Sequence, residues 1–285
     1  MTAHIGHNPL SESVRQLILR EMDDMCYPPR AAHAVHDVRV SGKRIRAWLR
    51  LLRDAMGADA YRRENAVVRD LGQLLCRRRD DEVLIETLEG LRRSGSPAFG
   101  EAEVERLRDR FRTDGGASEG DLPSPEVMIK VREALFDAHR RVEKLDLGHG
   151  HPEQTFRRLW KRARTAYAAA RETPDTETLH EWRKQAKYLR YQLEALSDIW
   201  PKQVARWGGI LKAQAQSLGY EHDLAVLAER LAESPVNAPQ CDEIARLRHE
   251  MQRRVLRKAR DFYRPRPKEV GRWLTRRWKR WRATT

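Results

Sequence analysis

The stretch AVHDVRVSGKRIRAWLRLL runs from Ala34 to Leu52. One histidine, His36, is followed by Arg39, Lys43, Arg46 and Arg50 at steps of three and four. At about 100° per residue these five side chains fall within an arc of roughly 80° on a helix. Val38, Ile45, Leu49 and Leu52 form a second arc, centred about 120–130° away. One stripe therefore faces a core, and the other faces something wet or anionic. The cationic row extends about 21 Å at about 1.5 Å per residue.

The second half of the chain repeats the pattern. Leu179–Leu196 reads LHEWRKQAKYLRYQLEAL. A shift of 144 positions, without gaps, places His36 on His180, Arg39 on Arg183, Lys43 on Lys187 and Arg46 on Arg190. The same shift places Ile45 on Leu189, Leu49 on Leu193 and Leu52 on Leu196. Such a match points to duplication of one helical unit. Glu194 stands at the Arg50 position, so the second row is shorter. A solvated helix face mixes charges of both signs, because i,i+4 acid–base pairs relieve repulsion. A row kept free of acids, and present twice, favours an external anion. His36 and His180 head the rows and suit a hydrogen-bond donor to phosphate.

A weaker echo follows at an offset of 143: LCRRRDDEVL (Leu75–Leu84) against LGYEHDLAVL (Leu218–Leu227). Asp80 and Asp223 correspond there, and each reads as a helix N-cap, worth about 1 kcal/mol. Arg69 and Lys212 correspond on the preceding helices, where either adds a cation to the anion surface.

Bulk composition agrees. The 285 residues carry 56 Lys and Arg against 42 Asp and Glu, a formal charge of +14 with a pI near 10.1. That surplus suits a polyanion: nucleic acid, an anionic membrane or a phosphate polymer. Cys26, Cys76 and Cys241 are odd in number and widely spaced, which argues against a disulfide framework or a zinc knuckle. The first residues lack the apolar core of a signal peptide, and no apolar run nears the roughly 20 residues of a membrane helix. A cytoplasmic protein without membrane contact is expected.

Apolar residues recur almost everywhere at three and four, so the expected fold is all-α, with helices packed in bundles. Helices are expected at about 11–26 (with Ser11 as N-cap), 31–55, 59–78, 81–93 and 100–112. TDGGASEGDLPSP, Thr113–Pro125, reads as a linker between a first helical half (about 10–112) and a second (about 126–285) of one domain. Beyond it, helices are expected at 126–147, 152–171, 176–199, 201–218, 222–233, 239–263 and 267–281.

The paired motifs VHDVRVSGKRIR and LHEWRKQAKYLRYQLEAL, the segments that follow them and the closing YRPRPKEVGRWLTRRW resemble the conserved-histidine α-helical domain family, abbreviated CHAD. The resemblance extends over nearly the whole chain. It implies two pseudo-symmetric helical bundles whose basic helices line a central groove or pore. It also implies binding of inorganic polyphosphate, often on polyphosphate granules. The contacts it implies are His36, Arg39, Lys43, Arg44 and Arg46 in the first half, and His180, Arg183, Lys187, Arg190 and Lys212 in the second. The cationic row and the echo add Arg50 and Arg69. Two positions depart from the family pattern. Gly42 replaces an aliphatic residue mid-helix, at a cost of up to about 1 kcal/mol against Ala, and Cys76 stands where the second half has Gly219.

Polyphosphate carries about one negative charge per phosphate and no bases, so its binder needs a line of cations and no base readout. Arg supplies bidentate forks and Lys compact charge. FRRLWKRAR, Phe156–Arg164, extends the basic surface: Arg158, Lys161 and Arg162 lie opposite Phe156, Leu159, Ala163 and Tyr167. RRWKRWR, Arg276–Arg282, adds a further cluster.

Three other readings compete. Trp273, Trp278 and Trp281 interleave with cations and could stack on nucleic-acid bases, though as helix-packing residues they need no such role, and no nucleic-acid motif accompanies them. An enzyme of phosphate polymers, or its accessory subunit, is a second. Relatives are often joined to a triphosphatase-type (CYTH) domain, but its Glu-x-Glu-x-Lys strand is missing here. Gly42-Lys43 does not complete a phosphate loop, since Arg44 follows. A scaffold for an acidic protein is the third. Adjacent acids (Asp23-Asp24, Asp80-Asp81) point apart on a helix, and His149 and His151 read as loop residues. The expectation is a non-enzymatic binder with neither metal nor cofactor.

Overall fold

A computed structural model describes residues 10–26, 34–74, 80–114, 125–147 and 152–284. Every regular element among them is helical: α1 (Leu10–Cys26), α2 (Ala34–Met56), α3 (Ala58–Leu74), α4 (Asp80–Arg93), α5 (Glu101–Asp114), α6 (Pro125–Glu143), α7 (Pro152–Glu172), α8 (Thr176–Glu194), α9 (Pro201–Leu231), α10 (Ala238–Ala259) and α11 (Pro267–Thr284). A short 3-10 turn, Pro235–Asn237, precedes α10. The all-α expectation holds. The linker stretch is mostly outside the described residues, with its ends absorbed into α5 and α6.

The apolar arc of the opening stretch does what its spacing demands. Val38, Ile45, Leu49 and Leu52 are all buried. Their counterparts Leu189, Leu193 and Leu196 are buried too. These residues belong to one large core that joins α1, α2, α3, α6, α7, α8, the first half of α9 and parts of α10 and α11. A smaller core unites α4, α5, the second half of α9 and Ile244 of α10. Both cores therefore draw helices from either side of the linker stretch. Each helix contributes roughly 1.5–3 kcal/mol per fully buried large aliphatic or aromatic side chain.

Several expectations of element boundaries are corrected. The stretch expected as two helices, 201–218 and 222–233, is one helix of 31 residues, Pro201–Leu231. Gly219 does not break it, because Leu218, Gly219, Glu221, Leu224 and Ala225 are all buried and held by neighbouring helices. Glu221 accepts from Arg248 Nε (2.9 Å) and Gln252 Nε2 (2.8 Å) on α10, which clamps this segment. Asp223 thus lies in a helix interior and is not an N-cap. Ser11 likewise lies inside α1, which begins at Leu10. The N-cap of α8 is Asp175, whose carboxylate accepts from Thr178 N at 2.8 Å. The α8 helix ends at Glu194, and residues 195–199 form a turn. Gly57 ends α2 with φ of 82°, in the left-handed region that glycine enters without cost.

The two basic helices pack directly on each other. Trp48 Nε1 donates to Tyr191 O at 2.8 Å, and Gln192 Nε2 donates to Ala47 O at 3.2 Å. Further out, the Arg44 guanidinium lies 3.5 Å from Glu194, while that of Arg50 lies 3.8 Å from the centre of the Tyr188 ring. Positions rising along α2 meet positions falling along α8, so the helices run in opposite senses. Each of these contacts has a counterpart under the shift of 144: 48 with 191 and 47 with 192, then 44 with 194 and 50 with 188.

Candidate functional site

Arg183, Lys187 and Arg190 lie on one face of α8, and Lys212, Gly219, Tyr220 and Asp223 on the facing side of α9. Between them is a cleft of ≈ 350 Å³. Four cations against the single carboxylate of Asp223 leave it strongly positive. Burial raises the Asp223 pKa above the ordinary carboxylate value, in spite of Arg183, His222 and Lys187. Burial thus disfavours the charged form of the one acid.

Gly219 shapes the cleft. Its α-carbon lies so near Arg183 that an added Cβ would stand 3.1 Å from Nη2 and 3.4 Å from Nε. Arg183 Nε is buried and makes no hydrogen bond. A buried, unsatisfied guanidinium N–H costs on the order of 1–3 kcal/mol, a cost that an incoming anion relieves. Lys187 shows the same charge crowding. Burial, followed by the charges of Arg183, Lys43 and Arg190, lowers its pKa from 10.5 to about 8. Lys43 thus brings the α2 row to the α8 row: the two lysines, 144 positions apart, are close enough to feel each other.

The remaining residues of the rows are dispersed. Arg44 is ion-paired to Glu21 on α1 (3.1 Å) and to Glu194 (3.5 Å), and Glu21 also accepts from Ser41 Oγ at 2.7 Å. Its pKa is raised: burial lowers it, but Glu21 and Glu194 outweigh burial. Its charge is already matched. Glu194 also lies 3.8 Å from Arg190. The row itself holds no acid before Glu194, and these partners come from neighbouring elements, where the linear pattern does not look. Arg46 Nε donates to Asn65 of α3 at 3.2 Å. Arg69 is exposed on α3 and ion-paired to Asp70 at 2.7 Å. Arg50, Arg158 and Arg162 line a separate cleft of ≈ 500 Å³ with Arg53 and Asp54, and Arg158 is ion-paired to Asp54. Lys161 faces a third cleft, on α7. His36 and Arg39 lie in α2, but their side chains are outside the described residues.

His180 is exposed on α8, with its ring 5.3 Å from that of His222 in an edge-to-face arrangement. Partial burial, then His222, Arg183 and Lys184, lower its pKa. Its neutral form, which offers a single N–H, is thereby favoured. His222 Nδ1 is buried and makes no hydrogen bond. Sequence reasoning missed His222, Tyr188, Tyr191 and the packing role of Gly219. Gly219 had a signal, since it opens the repeated LG segment. Tyr188 and Tyr191 had none, because their roles depend on which helix packs opposite.

Among the described residues, no group of three or more His, Cys, Asp or Glu is arranged to hold a metal ion. None of their helices is long and apolar enough to cross a membrane. Cys26 and Cys241 are free thiols, and Cys76, Asp80, His149 and His151 lie outside what is described for side chains.

The crystal structure of the CHAD domain from the plant Ricinus communis is similar to this chain. The identity is 20%, over 93% of this chain and 91% of that one, with a TM-score of 0.49. No curated protein matches. The family model described as CHAD domain matches residues 17–232, which include both basic helices and the cleft between α8 and α9. The chain belongs to the CHAD domain family.

Proposed function

We propose that this protein binds inorganic polyphosphate along the α8–α9 cleft and the adjoining Lys43 edge of α2, and holds the polymer without turning it over. One observation carries the reading. Arg183, Lys187, Arg190 and Lys212 line one cleft against a single carboxylate, Asp223, and Lys43 adds like charge from α2. Like charge packed in one cleft is unfavourable, and a bound anion offsets it beyond what Asp223 supplies. In the same cleft Arg183 keeps a buried N–H without an acceptor. A chain of phosphates supplies both needs at once.

The paired contacts between α2 and α8 support a local two-fold relation between the duplicated halves. In that arrangement the Lys43 edge of α2 adjoins the α8 row, while Arg44, Arg46 and Arg50 have other partners. A linear polymer whose two directions are equivalent suits such an arrangement. The same proposal places the protein on cytoplasmic polyphosphate granules.

The test is a calorimetric titration of the full chain with inorganic polyphosphate, and with single-stranded DNA and RNA of matched charge, at several salt concentrations. Tighter binding of polyphosphate is expected. Equal affinity for all three would reduce the protein to a general polyanion binder. Incubation with long polyphosphate and Mg²⁺ is expected to release no phosphate; release would make the protein an enzyme.

A further inference from the structure

Outside the α8–α9 cleft, seven cations come together between α7 and the start of α11. Arg157, Arg158, Lys161 and Arg164 project from α7, and Arg266, Lys268 and Arg272 face them from the α11 side. They enclose a cleft of ≈ 640 Å³. Of these seven, Arg158 alone has an ion-pair partner among the described residues, Asp54. The one acid lining the cleft, Glu269, is turned to the backbone: its Oε2 accepts from Arg266 N at 2.7 Å, closing the first turn of α11. Arg157, Lys161 and Arg164 stand at i, i+4 and i+7, a straight row about 10 Å long. Lys268 and Arg272 form a facing pair at i, i+4. The walls are fixed in place, since Trp160 Nε1 donates to Pro265 O at 3.1 Å and Val270 and Leu274 are buried in the main core.

We infer that this cleft is a second polyanion site, which takes a stretch of inorganic polyphosphate between the cationic rows of α7 and α11. Its lining holds no aromatic side chain, so it offers bases no stacking surface. Trp273, Trp278 and Trp281, which the sequence interleaves with cations, pack against the core. A base-free polymer fits better than a nucleic acid. The α11 wall lies beyond the residues matched by the family model, which end at 232.

The site stands on its own residues, and none of them lines the α8–α9 cleft. Together with the proposed first site it makes the protein bivalent, which rests on that reading. One molecule then holds two polymer segments, and long chains become cross-linked. Linked sites gain avidity without any new contact.

The experiment compares the wild-type chain with Lys268→Gln/Arg272→Gln and with Arg183→Gln/Lys187→Gln. Lys268 and Arg272 are exposed, and an unchanged melting curve verifies the fold. Short inorganic tripolyphosphate is titrated by calorimetry. Long-chain polyphosphate is mixed with each protein, and light scattering is followed. Wild type is expected to bind about two tripolyphosphates and to scatter strongly, while each double variant binds about one and scatters weakly. Stoichiometry and scattering unaffected by Lys268→Gln/Arg272→Gln would overturn the proposal. A stronger response of the second cleft to single-stranded DNA of matched charge would overturn its ligand. Loss of binding confined to Lys268→Gln/Arg272→Gln, with Arg183→Gln/Lys187→Gln unaffected, would sustain this site and remove the first.

Discussion

A methyl group at Gly219 would intrude on Arg183, whereas one at Gly42 would not. At Gly42 an added Cβ meets Val68 Cγ1 at 3.6 Å and Met25 Cε at 4.0 Å, ordinary contact distances. Gly42→Ala therefore gains helix propensity without a clash and is expected to stabilise the fold by roughly 0.5–1 kcal/mol in thermal or denaturant unfolding. The family departure at this position is tolerated and improvable. Gly219→Ala gains the same propensity but displaces the Arg183 guanidinium. Its expected signature is polyphosphate binding weaker by roughly tenfold, the equivalent of about 1.4 kcal/mol, with no loss of thermal stability. Weaker binding together with a lower Tm would mean that Gly219 serves packing only. Lys187 makes a pH prediction. Its folded pKa, about 8, lies below the 10.5 of the free side chain. Above about pH 8 the folded protein sheds this proton while the unfolded chain keeps it, so stability on this account rises between about pH 8 and 10.5. Binding runs the other way: an anion favours the charged lysine, so affinity falls as pH rises through 8 and binding takes up a proton there. Lys187→Gln should flatten both trends, as read by Tm and by calorimetry in buffers of different ionisation enthalpy.

At the scale of elements, the pairing of α2 with α8 sets where the cations point. The Trp48 indole donates to Tyr191 O in an interface where Trp48 is 5% exposed. Trp48→Phe keeps most of the apolar volume but strands that carbonyl. An expected loss of about 1–3 kcal/mol in denaturant unfolding follows from the unmet acceptor. Gln192→Leu, at the equivalent position, removes a second donor from Ala47 O, which keeps its helical partner inside α2, so a smaller loss is expected. Much of this was legible beforehand. The apolar arcs of both repeats gave correct core residues, because helical period alone decides which side chains share a face. The shift of 144 singled out α2 and α8 as a related pair, but that they pack directly on each other was not legible from it. What stayed hidden depends on neighbours that spacing does not name. Glu21 reaches Arg44 from α1, twenty-three residues away in sequence, and nothing in either segment announces the pair. The continuity of α9 was hidden for the same reason: Gly219 and the following polar residues imitate a break, and Arg248 and Gln252 on α10 supply the contacts that carry the helix through. Asp223, read as a cap, thereby became a cleft residue.

For the whole molecule, the formal charge of +14 states that cations are in excess without saying which are available. Packing makes that selection. Arg141 is held by the fully buried carboxylate of Glu64 at 2.9 Å, and Arg248 by Glu221 at 2.9 Å, so these arginines join helices instead of serving a ligand. Arg44 joins them through Glu21 and Glu194. Arg183, Lys187 and Lys212 have no ion-pair partner among the described residues, and they share one cleft. Salt dependence separates the two kinds of cation, since only charges that neutralise phosphates release counterions on binding. For a single-stranded polyanion the slope of log K against log salt is about −0.7 per contact. Lys187→Gln is therefore expected to make the slope for polyphosphate shallower by about 0.7, and Arg183→Gln to do the same. Arg44→Gln removes a charge already answered by two carboxylates and should leave the slope close to that of wild type, whatever it does to stability. Affinities measured across a salt series for the three variants decide the matter. An equal change for Arg44→Gln would show that its carboxylate partners yield to the polymer, and that the whole α2 row engages it.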